Sequence, residues 1–317
     1  MTKAETGSLS MGAVTDSLYR VTPLREVGER LEYRLNLSLS APPSASRLRA
    51  LWSAEGPVEI NNDLQIRANA DLPVFLTTYQ RPGAAERVVR SLRQAADAGQ
   101  VRPFLIVIDD GSWASYEGVK AALAEQWPDQ HVFLKGRANL GKPGFWKIYA
   151  TMFKLARSFP DAPALFLQDD IEFGEDLFTR IAALRAGLGD RRAAVLNLFA
   201  CADDNPNGQW LFFRRQTHAD RGVYLTQWSD LQCFFVEPHF FKVLRWRMFP
   251  ISPHRWSRKP SLSSGVGRQL TLRLWGRGNI YQVIEPLAYH GSERSLMNPE
   301  ARARRSLDNR RQPSTSD

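Results

Sequence analysis

The chain has 317 residues, 43% hydrophobic and 11% aromatic, enough to bury one large domain with extensions, and its two cysteines, Cys201 and Cys233, exclude a disulfide scaffold or a Cys-rich zinc site. Lys plus Arg (42) exceed Asp plus Glu (33) by a formal +9, a balance that favours anionic partners. "MTKAETGSLSMGAV" has no apolar core of a signal peptide, and no run approaches the roughly 18 apolar residues of a membrane span, so we expect a soluble cytoplasmic protein with reduced thiols.

In chain order, residues 1–70 form an N-terminal extension, where "LEYRLNLSLS" alternates like an exposed strand and "APPSAS" is a turn or linker. "PVEINNDLQIRANAD" offers a second short strand and its loop. From 71 to 199 strand and helix alternate: "PVFLTTY", "GAAERVVRSLRQAADAG", "FLIVIDD", "YEGVKAALAEQW", "HVFLKG", "PGFWKIYATMFKLARSF", "ALFLQDD" and "GEDLFTRIAALRAGL". This alternation predicts an α/β fold with a mainly parallel sheet and helices on both faces. From 200 to 300 the regularity gives way to loops, short strands and a basic stretch, and residues 301–317 read as an Arg-rich disordered tail.

Two of these strands end in acids, "FLIVIDDGS" at Asp109 and Asp110 and "ALFLQDD" at Asp169 and Asp170. In an open parallel sheet, ligands bind beyond the carboxyl ends of the strands, so both clusters are expected to face one cleft. Either alone is an ordinary strand-end turn. Together they point to a metal site, since carboxylate oxygens suit Mg²⁺ or Mn²⁺ with water and substrate phosphates completing the shell.

"FLTTYQRP", "VIDDGS", "ANLGKPGFWKIYATMFKLA" and "LFLQDD", in that order, resemble the nucleotide-binding half of a GT-A glycosyltransferase of the broad family 2 type, over residues 73 to 180. The resemblance implies a GT-A (Rossmann-like) fold and a metal-dependent, inverting transfer of a hexosyl or pentosyl group from a nucleotide-sugar such as a UDP-sugar to a hydroxyl. It implies that Thr77, Tyr79 and Asp109 or Asp110 hold the nucleoside, and that Asn139, Gly141 and Lys142 lie near the donor. Gln168, Asp169 and Asp170 then form the Asp-x-Asp type motif, with Asp170 the metal ligand and Asp169 nearer the ribose or sugar. His290 in "YHGSERS" resembles a late metal- or phosphate-binding His, and Arg294 and Ser295 beside it reach for phosphate oxygens. A backbone-satisfied, half-buried role for His290 stands as the equal alternative.

The sequence departs from the family pattern twice. Gln168 replaces the first carboxylate, and the stretch that aligns with the usual late acid, "SSGVGRQLTLRLWGRG", has Gly265, Val266 and Gly267 and no acid. A base for the acceptor proton is therefore sought elsewhere, first at Asp230 and second at Glu237. His131, His218, His239 and His254 stand in no metal-ligand spacing and are read as core or surface residues.

Between Glu237 and Glu285 there is no acid, while nine cations alternate with Phe240, Phe241, Trp246, Phe249, Trp256, Trp275 and Tyr281. Cations in register with phosphates and aromatic faces that stack bases fit a polyanionic acceptor, with Arg255, Trp256, Arg258 and Lys259 its core. DNA carrying hydroxymethylated pyrimidines would meet that description, and the chain is similar in this to phage-encoded sugar transferases. A lipid-linked or cell-surface glycan fits the same residues. A non-catalytic nucleic-acid-binding protein on a transferase-like scaffold is the reading from a different class.

Overall fold

The computed structural model of the protein describes residues 72–199, 216–226, 231–251 and 264–291. The N-terminal extension, the Arg-rich tail, Cys201, Asp230, Arg255, Trp256, Arg258, Lys259, Arg294 and Ser295 lie outside the described residues.

Apolar runs become central strands here because they are buried on both faces. Every residue of β1 (Leu72–Thr78) and β2 (Pro103–Asp109) is buried, the signature of parallel strands covered by helices on each side. Helix α1 (Pro82–Gly99) connects them; proline occupies its first turn, where a missing N–H costs nothing, and Gln100 closes it in the left-handed conformation. Ala85, Val88, Val89, Leu92, Ala95 and Ala96 recur at helical spacing and form its buried stripe. The pattern continues through α2 (Glu117–Gln126), β3 (His131–Lys135), α3 (Gly141–Ala156), β4 (Ala164–Gln168), β5 (Ile171–Phe173) and α4 (Leu177–Leu188). It then passes to β6 (Ala193–Asn197), β7 (Gln216–His218), β8 (Val223–Thr226), β9 (Cys233–Val236), α5 (Pro238–Leu244), α6 (Val266–Leu274), β10 (Asn279–Val283) and β11 (Ala288–His290).

Among the described residues nine strands form one sheet in the order β3-β2-β1-β4-β9-β6-β10-β8-β7. The β3-β2-β1-β4 block is parallel, β6 pairs parallel with β10, and β9 and β8 run against their neighbours. Two apolar layers cover the sheet. Residues of α1, α2 and α4 pack on one face, and those of α3, α5 and α6 on the other. The α/β architecture with a mainly parallel sheet and helices on both faces is the one expected.

The short strands expected after residue 200 have a definite place in the sheet. β8, β9 and β10 complete the same sheet, with β9 filling the gap between β4 and β6. Apart from the local β7-β8 pair their partners are remote in sequence, so no local strand–helix alternation announces their order.

The aromatic residues of the acid-free window behave differently from expectation. Phe240 and Phe241 are fully buried, and both rings pack against Phe153 and Phe166. Phe166 is itself stacked between Phe75 and Phe234, at 4.8 and 4.9 Å between centroids, across β1, β4 and β9. Tyr281 is 5% exposed. These rings are core rather than stacking platforms; truncating one such Phe to Ala costs about 3–5 kcal/mol. Arg273 is likewise committed to structure, donating to the carbonyls of Arg247 and Leu244 with its guanidinium 4.5 Å from the Phe249 ring centroid.

Candidate donor site

Because β1, β2 and β4 are parallel, their carboxyl ends open on one side of the sheet, and a cleft of about 240 Å³ lies there. Thr77, Tyr79, Asp110, Asn139, Gly141, Lys142, Gln168, Asp169 and Asp170, all singled out in the sequence, line it together. Thr78, Arg81, Phe145 and Ile148 complete the lining.

The floor is the acidic turn after β4. Asp169 is buried, and its Oδ2 accepts from Thr78 Oγ1 at 2.7 Å and from the Tyr79 N–H at 3.2 Å. Arg81 Nη1 donates to Asp169 Oδ1 at 3.4 Å and to Asp170 Oδ2 at 2.9 Å. Burial first, and the adjacent Asp170 charge second, push the Asp169 carboxyl up to about 6, while Thr78, Arg81 and the Tyr79 N–H hold it down. Gln168 keeps the turn in register: its N–H donates to the Gln232 carbonyl and its Nε2 to the Leu231 carbonyl, at 3.1 and 3.3 Å.

Arg81 carries the most direct contact to both acids, and sequence reasoning missed it. Its signal was the "QRP" that follows the first strand. Proline after it keeps Arg81 out of the helical region, and Gln80 turns the chain with a φ of 57°.

A second wall comes from the loops after β2 and β3. Asp110 Oδ1 accepts the Leu140 N–H at 2.9 Å, at the start of α3. Burial pushes its carboxyl up to about 6, opposed by hydrogen bonds from the Leu140 and Gly141 N–H groups. Gly111, at φ 68°, lets the two loops touch: a Cβ there would lie 2.2 Å from the Ala138 carbonyl carbon. Beyond it, Trp113 is 88% exposed.

Of the two acids expected after β2, Asp110 faces the cleft and Asp109 does not. It is fully buried, its oxygens accept the Ser112 N–H and Oγ–H, and it does not line the cleft. Ser112 Oγ in turn accepts the Gln80 N–H at 2.7 Å, so Asp109 braces the turn that carries Arg81.

Glu237, the second choice for a base, lies away from the cleft. β9 runs antiparallel to β4 with Val236 opposite Ala164, so Glu237 lies beyond the amino end of β4, five strand residues or roughly 17 Å from the level of Gln168. Both its carboxylate oxygens are engaged by Arg185. Asp230, the other candidate, lies outside the described residues.

His290 is brought to the acids by the two-stranded β5-β11 sheet, where it pairs with Ile171. Its Nδ1 lies 3.7 Å from Asp170 Oδ2, and the Gly291 N–H donates to the Asp170 carbonyl at 2.7 Å. Among the described residues no group of three or more His, Cys, Asp and Glu side chains is placed to hold a metal. Yet Asp170 Oδ1 is buried without a hydrogen-bond partner. One carboxylate with an unused oxygen and one imidazole fit a divalent ion whose shell is completed by phosphate and water.

No family model and no curated protein matches the sequence. Among solved structures, S. aureus TarS 1-349 in complex with UDP-GlcNAc is similar at 11% identity and a TM-score of 0.49, covering 73% of this chain and 61% of that one. The mannosyltransferase PcManGT from Pyrobaculum calidifontis, in complex with GDP-Man and Mn²⁺, is similar at 13% identity and a TM-score of 0.48, covering 89% and 70%. GalNAc-T7 with UDP, GalNAc and Mn²⁺ is similar at 14% identity and 0.48, covering 72% and 44%. The chain thus spans less than two thirds of the TarS fragment and under half of GalNAc-T7. Among the described residues no helix is long and apolar enough to cross a membrane.

Proposed function

We propose that the protein is a glycosyltransferase that moves a sugar from a nucleotide-sugar to a hydroxyl acceptor, with a divalent ion assisting. The observation that carries this reading is the convergence of Thr77, Tyr79, Asp110, Asn139, Lys142 and the Asp169–Asp170 turn on one cleft at the carboxyl ends of parallel strands. In this reading the strand-end groups Thr77, Tyr79 and Asp110 hold the nucleoside. Lys142 and the amino end of α3 face the phosphates, and Asp169, fixed by Thr78 and the Tyr79 N–H, meets the ribose or sugar.

Asp170 and His290 would hold Mn²⁺ or Mg²⁺, which when bound supplies positive charge to the leaving diphosphate. In the transfer the bond between the anomeric carbon and the phosphate oxygen breaks and one to the acceptor oxygen forms. The acceptor proton passes to a carboxylate base, for which Asp230 is our candidate, and the diphosphate leaves with the negative charge. The reading takes the transfer as inverting and leaves Asp109 and Glu237 outside the chemistry.

For the acceptor we propose a polyanion, in its specific form a hydroxymethylated pyrimidine in DNA, contacted by Arg255, Trp256, Arg258 and Lys259. It is supported by the acid-free run of cations around them.

A thermal-shift screen of sugar nucleotides with and without Mn²⁺, followed by an assay of donor hydrolysis, tests the donor half. A nucleotide-sugar that raises the melting temperature only with Mn²⁺ and is slowly hydrolysed is the expected result. No shift and no hydrolysis across the common donors would overturn it in favour of a binding protein. For the acceptor, replacing Arg255, Arg258 and Lys259 by Ala is expected to flatten the dependence of log affinity on log salt by about 2 without changing donor affinity.

A further inference from the structure

We infer, on the reading of the cleft as a donor site, that Arg81 is a resident cation of the acidic pair. It holds the place of a divalent ion until the donor's diphosphate draws it away, so that metal and donor bind as a unit.

Two buried carboxylates side by side repel each other and need a cation. Here the cation is covalently attached: the Arg81 side chain is 12% exposed, those of Asp169 and Asp170 are 8% exposed, and a single guanidinium nitrogen meets both. The placement is built rather than incidental. Gln80 adopts a left-handed φ that side-chain-bearing residues rarely take, its N–H is held by Ser112 Oγ, and the Arg81 N–H donates to the Tyr116 hydroxyl at 3.3 Å. Tyr116 also bonds Thr78 Oγ1 at 2.8 Å, which ties the turn to the residue that holds Asp169.

Arg81 does not use everything the acids offer. It takes Asp170 Oδ2, whereas the buried Oδ1 has no hydrogen-bond partner and His290 stands on the Oδ2 side at 3.7 Å. A divalent ion entering alone would meet the spare oxygen together with a like charge already seated on the same carboxylate. A diphosphate changes that balance, because its oxygens accept a guanidinium in the paired geometry that a carboxylate edge provides. Arg81 can then exchange one anion for another while the ion takes its place on Asp170.

The test is to titrate the 317-residue chain with Mn²⁺ alone and read free Mn²⁺ by electron paramagnetic resonance. Arg81→Gln, which keeps hydrogen-bond donors and loses the charge, is expected to bind Mn²⁺ at least about tenfold more tightly than the wild type, a difference of about 1.4 kcal/mol. A folded Arg81→Gln with unchanged or weaker Mn²⁺ affinity would overturn the assignment. If that variant does not fold, Arg81→Met, which keeps a long stem and loses the charge, decides. It should again bind Mn²⁺ at least about tenfold more tightly than the wild type, and equality would overturn the assignment.

In a second arm UDP is added, with correction for the Mn²⁺–UDP complex in solution. It should tighten Mn²⁺ binding more in the wild type than in Arg81→Gln, and equal tightening counts against the exchange. The Mn²⁺-alone arm needs no donor, so a failure of nucleotide-sugar binding would defeat the transferase reading while this arm still reports on Arg81.

Discussion

His290 Nδ1 stands 3.7 Å from Asp170 Oδ2, although the two residues are 120 positions apart in the chain and are brought together by the β5-β11 pairing. The backbone reinforces this approach, since the Gly291 N–H donates to the Asp170 carbonyl. Asp170→Ala is expected to abolish Mn²⁺-dependent binding of the nucleotide-sugar and to slow transfer by roughly a hundredfold or more, because few protein ligands are available to compensate. Arg81 retains Asp169 in this variant, so the fold should survive, as a cooperative melt would show. Transfer within a few-fold of wild type would remove Asp170 from the metal site.

Asp110 gives a pH prediction. Its folded carboxyl is raised to about 6 from an ordinary 3.8, so between these values the native state binds more protons than the unfolded chain. The stability it contributes is present at acid pH and lost as pH rises through 6. The full loss is about 3 kcal/mol, the difference of roughly two units at 1.36 kcal/mol each. Asp169 acts in the same direction. Denaturant titrations at a series of pH values should show a shallower decline from pH 4 to 7 in Asp110→Asn than in the wild type. An equal decline would mean that Asp110 is ionised in the folded protein at its ordinary value.

Gly111→Ala tests the contact between the two loops of the cleft wall. The new methyl would carry a positive φ and press into the Ala138 carbonyl, so a loss of at least about 2 kcal/mol is expected, with weakened nucleotide binding as Asp110 and Asn139 part. A methyl group added at Gly187 would meet nothing within 4 Å, so Gly187→Ala serves as the control and should be neutral or stabilising. Wild-type stability in Gly111→Ala would contradict the close approach.

Asp230 and Glu237 separate by their effects. Asp230→Asn should slow transfer far more than it weakens donor binding, as a base acting on the acceptor proton would. Glu237→Gln should leave transfer unchanged. Its part-exposed pair with Arg185 contributes about 0.2–1 kcal/mol to stability and nothing to the cleft. Activity in Asp230→Asn together with inactivity in Glu237→Gln would reverse both assignments.

Local sequence was enough to specify the parallel half of this protein. Continuous apolar runs ending in acids mark strands buried on both faces, and the rule that ligands bind at their carboxyl ends is local enough to read from "VIDD" and "LQDD". That is why Asp110 and the Asp169–Asp170 pair are legible in the sequence as facing one cleft, whereas Thr77, Tyr79, Asn139, Gly141 and Lys142 entered the expectation through the family resemblance. Three things needed the folded chain. Which acid of a pair faces the cleft depends on a half-turn of the backbone, and it separated Asp110 from the internally bonded Asp109. The cation that neutralises Asp169 and Asp170 comes from another strand end, and an arginine in "QRP" looks like any surface arginine until the Gln80 turn is seen. Finally, the antiparallel insertion of β9 between β4 and β6 sends Glu237 to the far end of the sheet and Phe240 and Phe241 into the core. Strand pairing between remote segments is fixed by packing, and no local spacing encodes it.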